Sequence, residues 1–391
     1  MPDPLLPHLH YPLYLLHRFP CHSEDVARQA YINSIVVETI TIIPLASVTD
    51  ETHTTRRIKS SGFITFRLTL TILDTRIIDR PVEELTTELR HYILRTLLYY
   101  DLFDYPLTGR EICLFLESGD FGLDVIEEEL EILAEEKIIQ SSNGYWFLGD
   151  QNSQIVEKRL RMEEEGNRMW VIARRFARLM RITPFVRGVF ISGQLSRYIA
   201  DQKSDIDYFI VTEPGRLWIV RTLFVLFRRT ILFNNRKYFC TNYYITTDNL
   251  EIQERNIYAA CETASLKPIW NQTLFNRFAQ ENQKWVREFY PDFDYRLVEK
   301  RKGISESRSL FQRAVEALLP KSLVRRLDAY LLKSTKQFWR TKFPNQSENF
   351  YQTALRCTPN ESRAHPDDLS TEVLRRYEAS LKRHGIRTTN D

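Results

Sequence analysis

Val186-Arg187-Gly188-Val189-Phe190-Ile191-Ser192-Gly193-Gln194 and, after ten further residues, Asp205-Ile206-Asp207-Tyr208-Phe209-Ile210-Val211 form the stretch whose reading decides the fold. Both apolar runs read as short buried strands. Side chains alternate along a strand, so Asp205 and Asp207 fall on one side with Cβ atoms roughly 7 Å apart. Two carboxylates on one face repel each other, and a hard divalent cation between them removes that cost. Oxygen ligands of this kind suit magnesium or manganese, and magnesium commonly takes one or two carboxylates together with substrate phosphates. Gly193 after the first strand lets backbone amides come close to a phosphate.

Strand, glycine turn, short helix and Asp-x-Asp on the following strand resemble the signature of the polymerase-beta-like nucleotidyltransferase superfamily. Here it reads Ile191-Ser192-Gly193-Gln194-Leu195-Ser196-Arg197, then Lys203-Ser204-Asp205-Ile206-Asp207-Tyr208-Phe209-Ile210-Val211. The resemblance covers residues 186 to 246 at motif level. It implies an α/β (α+β) fold, with a nucleotidyltransferase-like mixed sheet and helices. It implies that Asp205 and Asp207 bind magnesium and that the Gly193-Gln194 turn holds the phosphates of a nucleoside triphosphate. The implied activity moves a nucleoside monophosphate to the hydroxyl of an acceptor, which is a protein, an RNA or a small molecule. Arg197, Lys203 and Ser204 flank the expected pocket, where they are candidates for nucleotide contacts; for the two cations, exposure to solvent alone is an equal alternative.

The chain departs from the family pattern in two places. Gln194 stands where a small hydroxyl residue or glycine is usual. Active members also carry a third carboxylate on a neighbouring strand, but the next strand candidate, Tyr238 to Thr246, contains no acid. Asn242 offers a neutral oxygen as a metal ligand in its place. Glu213 has the right parity but lies six residues beyond Asp207, about 20 Å along an extended chain. A catalytically reduced protein that binds nucleotide or a protein partner is therefore the alternative to an enzyme.

Working upstream, residues 81 to 150 read as a compact helical unit. A helix is expected from Val82 to Leu102, a capping box at Thr108-Gly109-Arg110-Glu111 opens a second, and a third runs from Asp124 to Lys137. Strands at Lys137 to Gln140 and Tyr145 to Leu148 flank an Asn143-Gly144 turn. Three helices and a hairpin predict a winged helix. Its third helix carries Asp124, Glu127, Glu128, Glu129, Glu131, Glu135 and Glu136, a face that DNA phosphates would repel. Sequence-specific DNA binding is disfavoured against a structural or protein-contact role. The charge division agrees: residues 81 to 150 hold 4 basic and 16 acidic side chains, residues 1 to 80 hold 8 of each, and the rest hold 42 and 27. Anionic ligands are drawn to the last part.

The first 80 residues have strand composition at Ser34 to Thr49 and Gly62 to Thr75 but an undetermined fold, part of it reading as poorly ordered. Residues 151 to 250 comprise a linker helix and the nucleotidyltransferase-like domain. Within the linker helix, Arg174, Arg178 and Arg181 share one face, either a basic wall for RNA or a solvated surface. Arg216 to Leu232 reads as the helix covering the sheet, its arginines reaching solvent. Residues 251 to 344 are helical, with patterns at Gln253 to Ser265, Gln272 to Phe289 and Glu306 to Trp339. Trp270 and Trp285 are read as core side chains, with base stacking as the alternative. Residues 345 to 391 form a polar tail with one helix near Leu369 to Arg383.

Composition closes off other classes. Five scattered cysteines without a C-x-x-C spacing support neither a disulfide framework nor a cysteine zinc site, and place the protein in the cytoplasm. The eight histidines avoid residues 92 to 364, which removes local histidine catalysis and histidine-bound metal from that stretch. The most apolar run, Leu217 to Phe233, is 17 residues long and contains three arginines, so no membrane partner is expected.

Overall fold

The computed structural model describes residues 82–149, 151–297, 301, 303–304, 306–364 and 369–386; the strand-like runs expected at 34–49 and 62–75 lie outside these. Leu85, Leu89, Ile93 and Leu97 recur every four residues and bury one face of the first helix, α1 (Val82–Asp101). The capping box forms as read. Thr108 Oγ1 accepts from Glu111 N at 3.3 Å, and Thr108 N donates to Glu111 Oε2 at 2.9 Å, which opens α2 (Gly109–Leu114). A third helix, α3 (Leu123–Glu135), is followed by the hairpin β2 (Ile139–Ser142) and β3 (Tyr145–Leu148). Asn143 and Gly144 both have positive φ, 51° and 77°, as a tight two-residue hairpin turn requires. The short β1 (Leu107–Thr108) adds an edge, giving an antiparallel sheet of order β1-β3-β2. Glu129 does not join the acidic face of α3: it is buried and ion-paired with Arg90 at 2.6 Å.

The long helix α4 (Gln154–Ile182) joins this unit to a second sheet. Met169, Ala173, Ala177 and Met180 form its buried stripe and meet the strand β4 (Val186–Ser192). The sheet continues with β5 (Asp207–Thr212), β6 (Cys240–Thr246), β7 (Lys267–Trp270) and β8 (Glu361–Arg363), in the order β7-β4-β5-β6-β8. Between β4 and β5 lies α5 (Gly193–Ser196), and β5 and β6 pair in parallel through the crossover helix α6 (Leu217–Thr230). The other three pairings are antiparallel. The helices α7 (Ile257–Ser265) and α8 (Gln272–Val286) flank β7. The chain then forms α9 (Leu310–Leu318), α10 (Lys321–Lys342), α11 (Glu348–Thr353) and, after β8, α12 (Leu369–Arg383). One hydrophobic core runs from α1 through Phe190 and Phe209 of the larger sheet to Tyr377 of α12. The architecture is mixed α+β with two sheets. No helix of the described residues is long and apolar enough to cross a membrane.

Several expectations need correction. The strand read from Asp205 begins at Asp207, because Ile206 is tied to the other side: its amide donates to Lys237 O at 2.8 Å and its carbonyl accepts from Cys240 N at 3.1 Å. The single helix expected over Glu306 to Trp339 is two, since the residue before Pro320 is pushed out of the α region and Leu319 sits at φ −88°, ψ 123°. The polar tail supplies an edge strand and α11 besides its helix. Arg221 on α6 does not reach for bulk water; it lies over the rings of Trp218 and Trp339 at 5.5 and 5.9 Å, and burial pulls its pKa down. Trp270 and Trp285 are fully buried core side chains.

Candidate functional site

The antiparallel pairing of β4 and β5 sets Ser192 opposite Asp207, at the point where β4 ends. The chain turns there through Gly193 at φ +62°. Only glycine adopts that conformation without strain. Space imposes the same demand: a Cβ on Gly193 would lie 2.6 Å from Asp207 Oδ2. The turn and the carboxylate are thus in immediate contact. Asp205 precedes the strand, yet its carboxylate converges with that of Asp207, so the pairing expected from strand parity is reached through an extended lead-in.

The third group in the cluster is a thiol. One ligand atom each from Asp205, Asp207 and Cys240 lies within 4.8 Å of the others, and this is the one such cluster among the described residues. Cys240 arrives because the parallel register of β5 and β6 places it beside Asp207. Burial raises the Asp207 carboxyl to about 7, and the neighbouring charge of Asp205 adds to the effect. Burial, with the two carboxylates beside it, pushes the Cys240 thiol up as well, so it stays protonated. A repelling carboxylate pair that makes no ion pair among the described residues fits a divalent cation. A protonated thiol is a poor ligand for a hard one, so Asp205 and Asp207 are the residues to hold magnesium or manganese.

Asn242 is turned the other way from the expectation. Its amide nitrogen, not its oxygen, faces the pair, 3.3 Å from Asp207 Oδ1 and 3.0 Å from Cys240 Sγ. The carboxylate attracts the N–H, so as placed Asn242 is a hydrogen-bond donor to Asp207 and not a metal ligand. Arg197 lines the cleft with partners of its own. It is largely buried and held by Glu262 at 2.9 Å and Cys261 Sγ at 3.2 Å, because α7 brings both against α5. Gln194 and Ser204 bind each other, with Ser204 Oγ donating to Gln194 Oε1 at 2.5 Å. Asp201 fixes that loop by accepting from Lys203 N and Ser204 N, both at 2.7 Å. Lys203 stays exposed at the rim.

All of these residues except Cys240 and Cys261 line a cleft of about 530 Å³, a size typical of small-molecule pockets (roughly 300 to 1,000 Å³). Its far wall was not legible in the sequence. It includes Phe103 from beyond α1, Tyr258 and Glu262 of α7, Arg363 of β8 and Ser370 of α12. Glu254 pairs with Arg363 and accepts from Ser370 Oγ at 2.9 Å. Burial works against its ionised form, but Arg363 more than offsets this and holds Glu254 below the ordinary glutamate range. Register could have flagged Cys240; no local signal marks the others. Arg174, Arg178 and Arg181 line a separate cavity of about 540 Å³ beside Trp270. No protein family, no curated protein and no solved structure matches the chain.

Proposed function

We propose that the protein is a magnesium-dependent nucleotidyltransferase that moves a nucleoside monophosphate from a nucleoside triphosphate to an acceptor hydroxyl. The observation that carries this reading is the convergence of Asp205 and Asp207 against the Gly193 turn inside one cleft. In it, Asp205 and Asp207 hold the cation, the amides of the Gly193-Gln194 turn receive phosphate oxygens, and Lys203 meets the phosphates at the rim. Magnesium, when bound, neutralises charge developing on the alpha phosphate. Arg197 stays with Glu262 and shapes the wall. Tyr258 and Phe103 offer apolar surface for a base. The fold reading that accompanies this is a nucleotidyltransferase-like sheet preceded by a winged helix, whose acidic α3 suits a protein contact. The unit acts without specific DNA binding, and the cytoplasm is its place of work.

A second reading is favoured by one observation: the third position of the cluster is a protonated thiol, with the Asn242 amide against it, where a base for the acceptor hydroxyl is wanted. On that reading the protein binds nucleotide without transferring it. A thermal-shift titration with each nucleoside triphosphate, with and without magnesium or manganese, tests the site. Metal-dependent stabilisation is expected in the parent and lost in Asp205→Asn with Asp207→Asn; no response in the parent refutes both readings. Label transferred from an α-labelled nucleotide to protein, RNA or small-molecule acceptors then separates enzyme from binding protein.

A further inference from the structure

The α9–α10 segment breaks the usual relation between apolar side chains and burial. Leu310, Phe311 and Leu318 of α9 are 78%, 61% and 83% exposed, and Leu323, Leu327 and Tyr330 of α10 are exposed as well. The last three are spaced i, i+4, i+7, so they share one face of the helix. That face is distinct from the stripe through Val324 and Asp328 that packs on α6. α9 is likewise anchored by its polar side: Gln312 is buried and donates to Thr183 O and Val186 O, both at 2.8 Å, while the leucines and phenylalanine point outward. Scattered exposed apolar residues are ordinary, but six within 21 residues of chain on two successive helices are a surface.

The charges around this surface are of one sign. Residues 308 to 342 contain nine lysines and arginines and two acids, Glu316 and Asp328. Both acids are committed inward. Glu316 pairs with Arg187 and Arg308, and Asp328 is buried and accepts from Trp218 N and Ile219 N at 2.8 and 3.0 Å, capping α6. Arg326 and Lys333, seven residues apart, run beside the Tyr330 edge of the apolar face, and both are exposed. We propose that α9 and α10 together form a docking face for an anionic lipid bilayer, with the leucines and aromatics entering the headgroup boundary and the basic side chains meeting lipid phosphates and carboxylates.

Charge complementarity selects this occupant. A second copy of the same face would set the lysines and arginines of α9 and α10 against each other, since Glu316 and Asp328 are turned inward and Glu348 is engaged with Arg340. A folded acidic partner would need a carboxylate fixed opposite each cation, whereas anionic lipids diffuse to wherever the cations lie. α10 itself cannot span a bilayer, since its charges are spread along its whole length. The association is peripheral, and none of the α9 and α10 side chains lines the cleft.

Flotation of the full chain with vesicles decides the matter. The parent is expected to float with phosphatidylcholine–phosphatidylserine vesicles, to stay behind with phosphatidylcholine alone, and to be released by high salt. Arg326→Glu with Lys333→Glu lowers affinity at least roughly twentyfold, at about fivefold for each cation lost. Leu323→Ser with Leu327→Ser abolishes flotation, while Arg168→Glu on the exposed side of α4 leaves it unchanged. Unaltered melting temperatures show that each variant is folded. Three results overturn the proposal: no flotation with anionic vesicles, equal loss in the Arg168 variant, or a dimer that the leucine variant dissolves without any vesicle binding. Retention on polyglutamate without flotation assigns the face to an acidic protein instead and overturns it too.

Discussion

Replacing Asp207 with asparagine should stabilise the protein at neutral pH, although it removes a residue from the centre of the proposed site. The Asp207 carboxyl is raised to about 7, first by burial and then by the charge of Asp205. In the unfolded chain it titrates near 3.9. Between about pH 4 and pH 7 the folded parent therefore holds a proton that the unfolded chain has released, and parent stability falls as pH rises. Below about pH 4 both states are protonated and the deficit vanishes; above about pH 7 both are ionised and it is constant. A shift of about three units at ~1.36 kcal/mol each sets a ceiling of about 4 kcal/mol. The cleft is open to water, which screens the ionised form and reduces the figure to about 2 kcal/mol. For a cooperative unit of roughly 300 residues that is about 3 °C in melting temperature. The assay is a melting curve at each half pH unit from 4 to 8.5 without divalent ions, for the parent and Asp207→Asn. The two should coincide at the acid end and separate progressively up to pH 7. Excess magnesium should then raise the parent, more strongly at higher pH, and leave the variant unmoved. Parallel profiles across this range, or a variant less stable than the parent at pH 8, would refute the buried-repulsion account of the site.

Other perturbations probe what holds the cleft in shape. Gly193→Ala should cost about 1 to 2 kcal/mol in urea unfolding from the left-handed backbone alone, and should erase the magnesium response, since its Cβ would displace the Asp207 carboxylate. Gly166→Ala should destabilise by more than about 2 kcal/mol despite alanine's better helix propensity, because a Cβ there would lie 2.0 Å from Tyr198 O where α4 crosses the loop after α5. Asp328→Ala should cost about 1 to 2 kcal/mol by removing the cap that α10 supplies to α6, and the loss should appear as a lower urea midpoint at unchanged slope. Glu262→Gln should cost about 3 kcal/mol, read in the same way, by leaving the buried Arg197 guanidinium without its carboxylate.

The features legible in the sequence were those set by neighbours along the chain. The capping box at Thr108 and Glu111, the Asn143-Gly144 turn and the Gly193 turn each depend on a few consecutive residues. So does the apolar run that became β4. The elements that escaped reading obtain their order from elsewhere. β7 contains Pro268, which argues against a strand until the strand lies at an edge where a missing N–H is tolerated. β8 is three polar residues that acquire strand geometry only by pairing with β6 and by Tyr243 Oη donating to Glu361 at 2.8 Å.

The candidate site divides along the same line. Sequence alone placed two acids and a glycine turn in one unit, because backbone geometry over a handful of residues dictates where those side chains go. Whether the pair met a third acid, a thiol or an amide depended on the register of a strand whose Cys240 lies 33 residues beyond Asp207. That register is fixed by the packing of α6 and the whole sheet, which no local pattern encodes. Likewise Arg197 became buried only because α7 delivered Glu262 and Cys261 to it, and the cleft acquired its outer wall from β8 and α12 near the other end of the chain. Local sterics act through bonded neighbours, whereas burial and charge pairing act through space, and only the folded chain determines who shares that space.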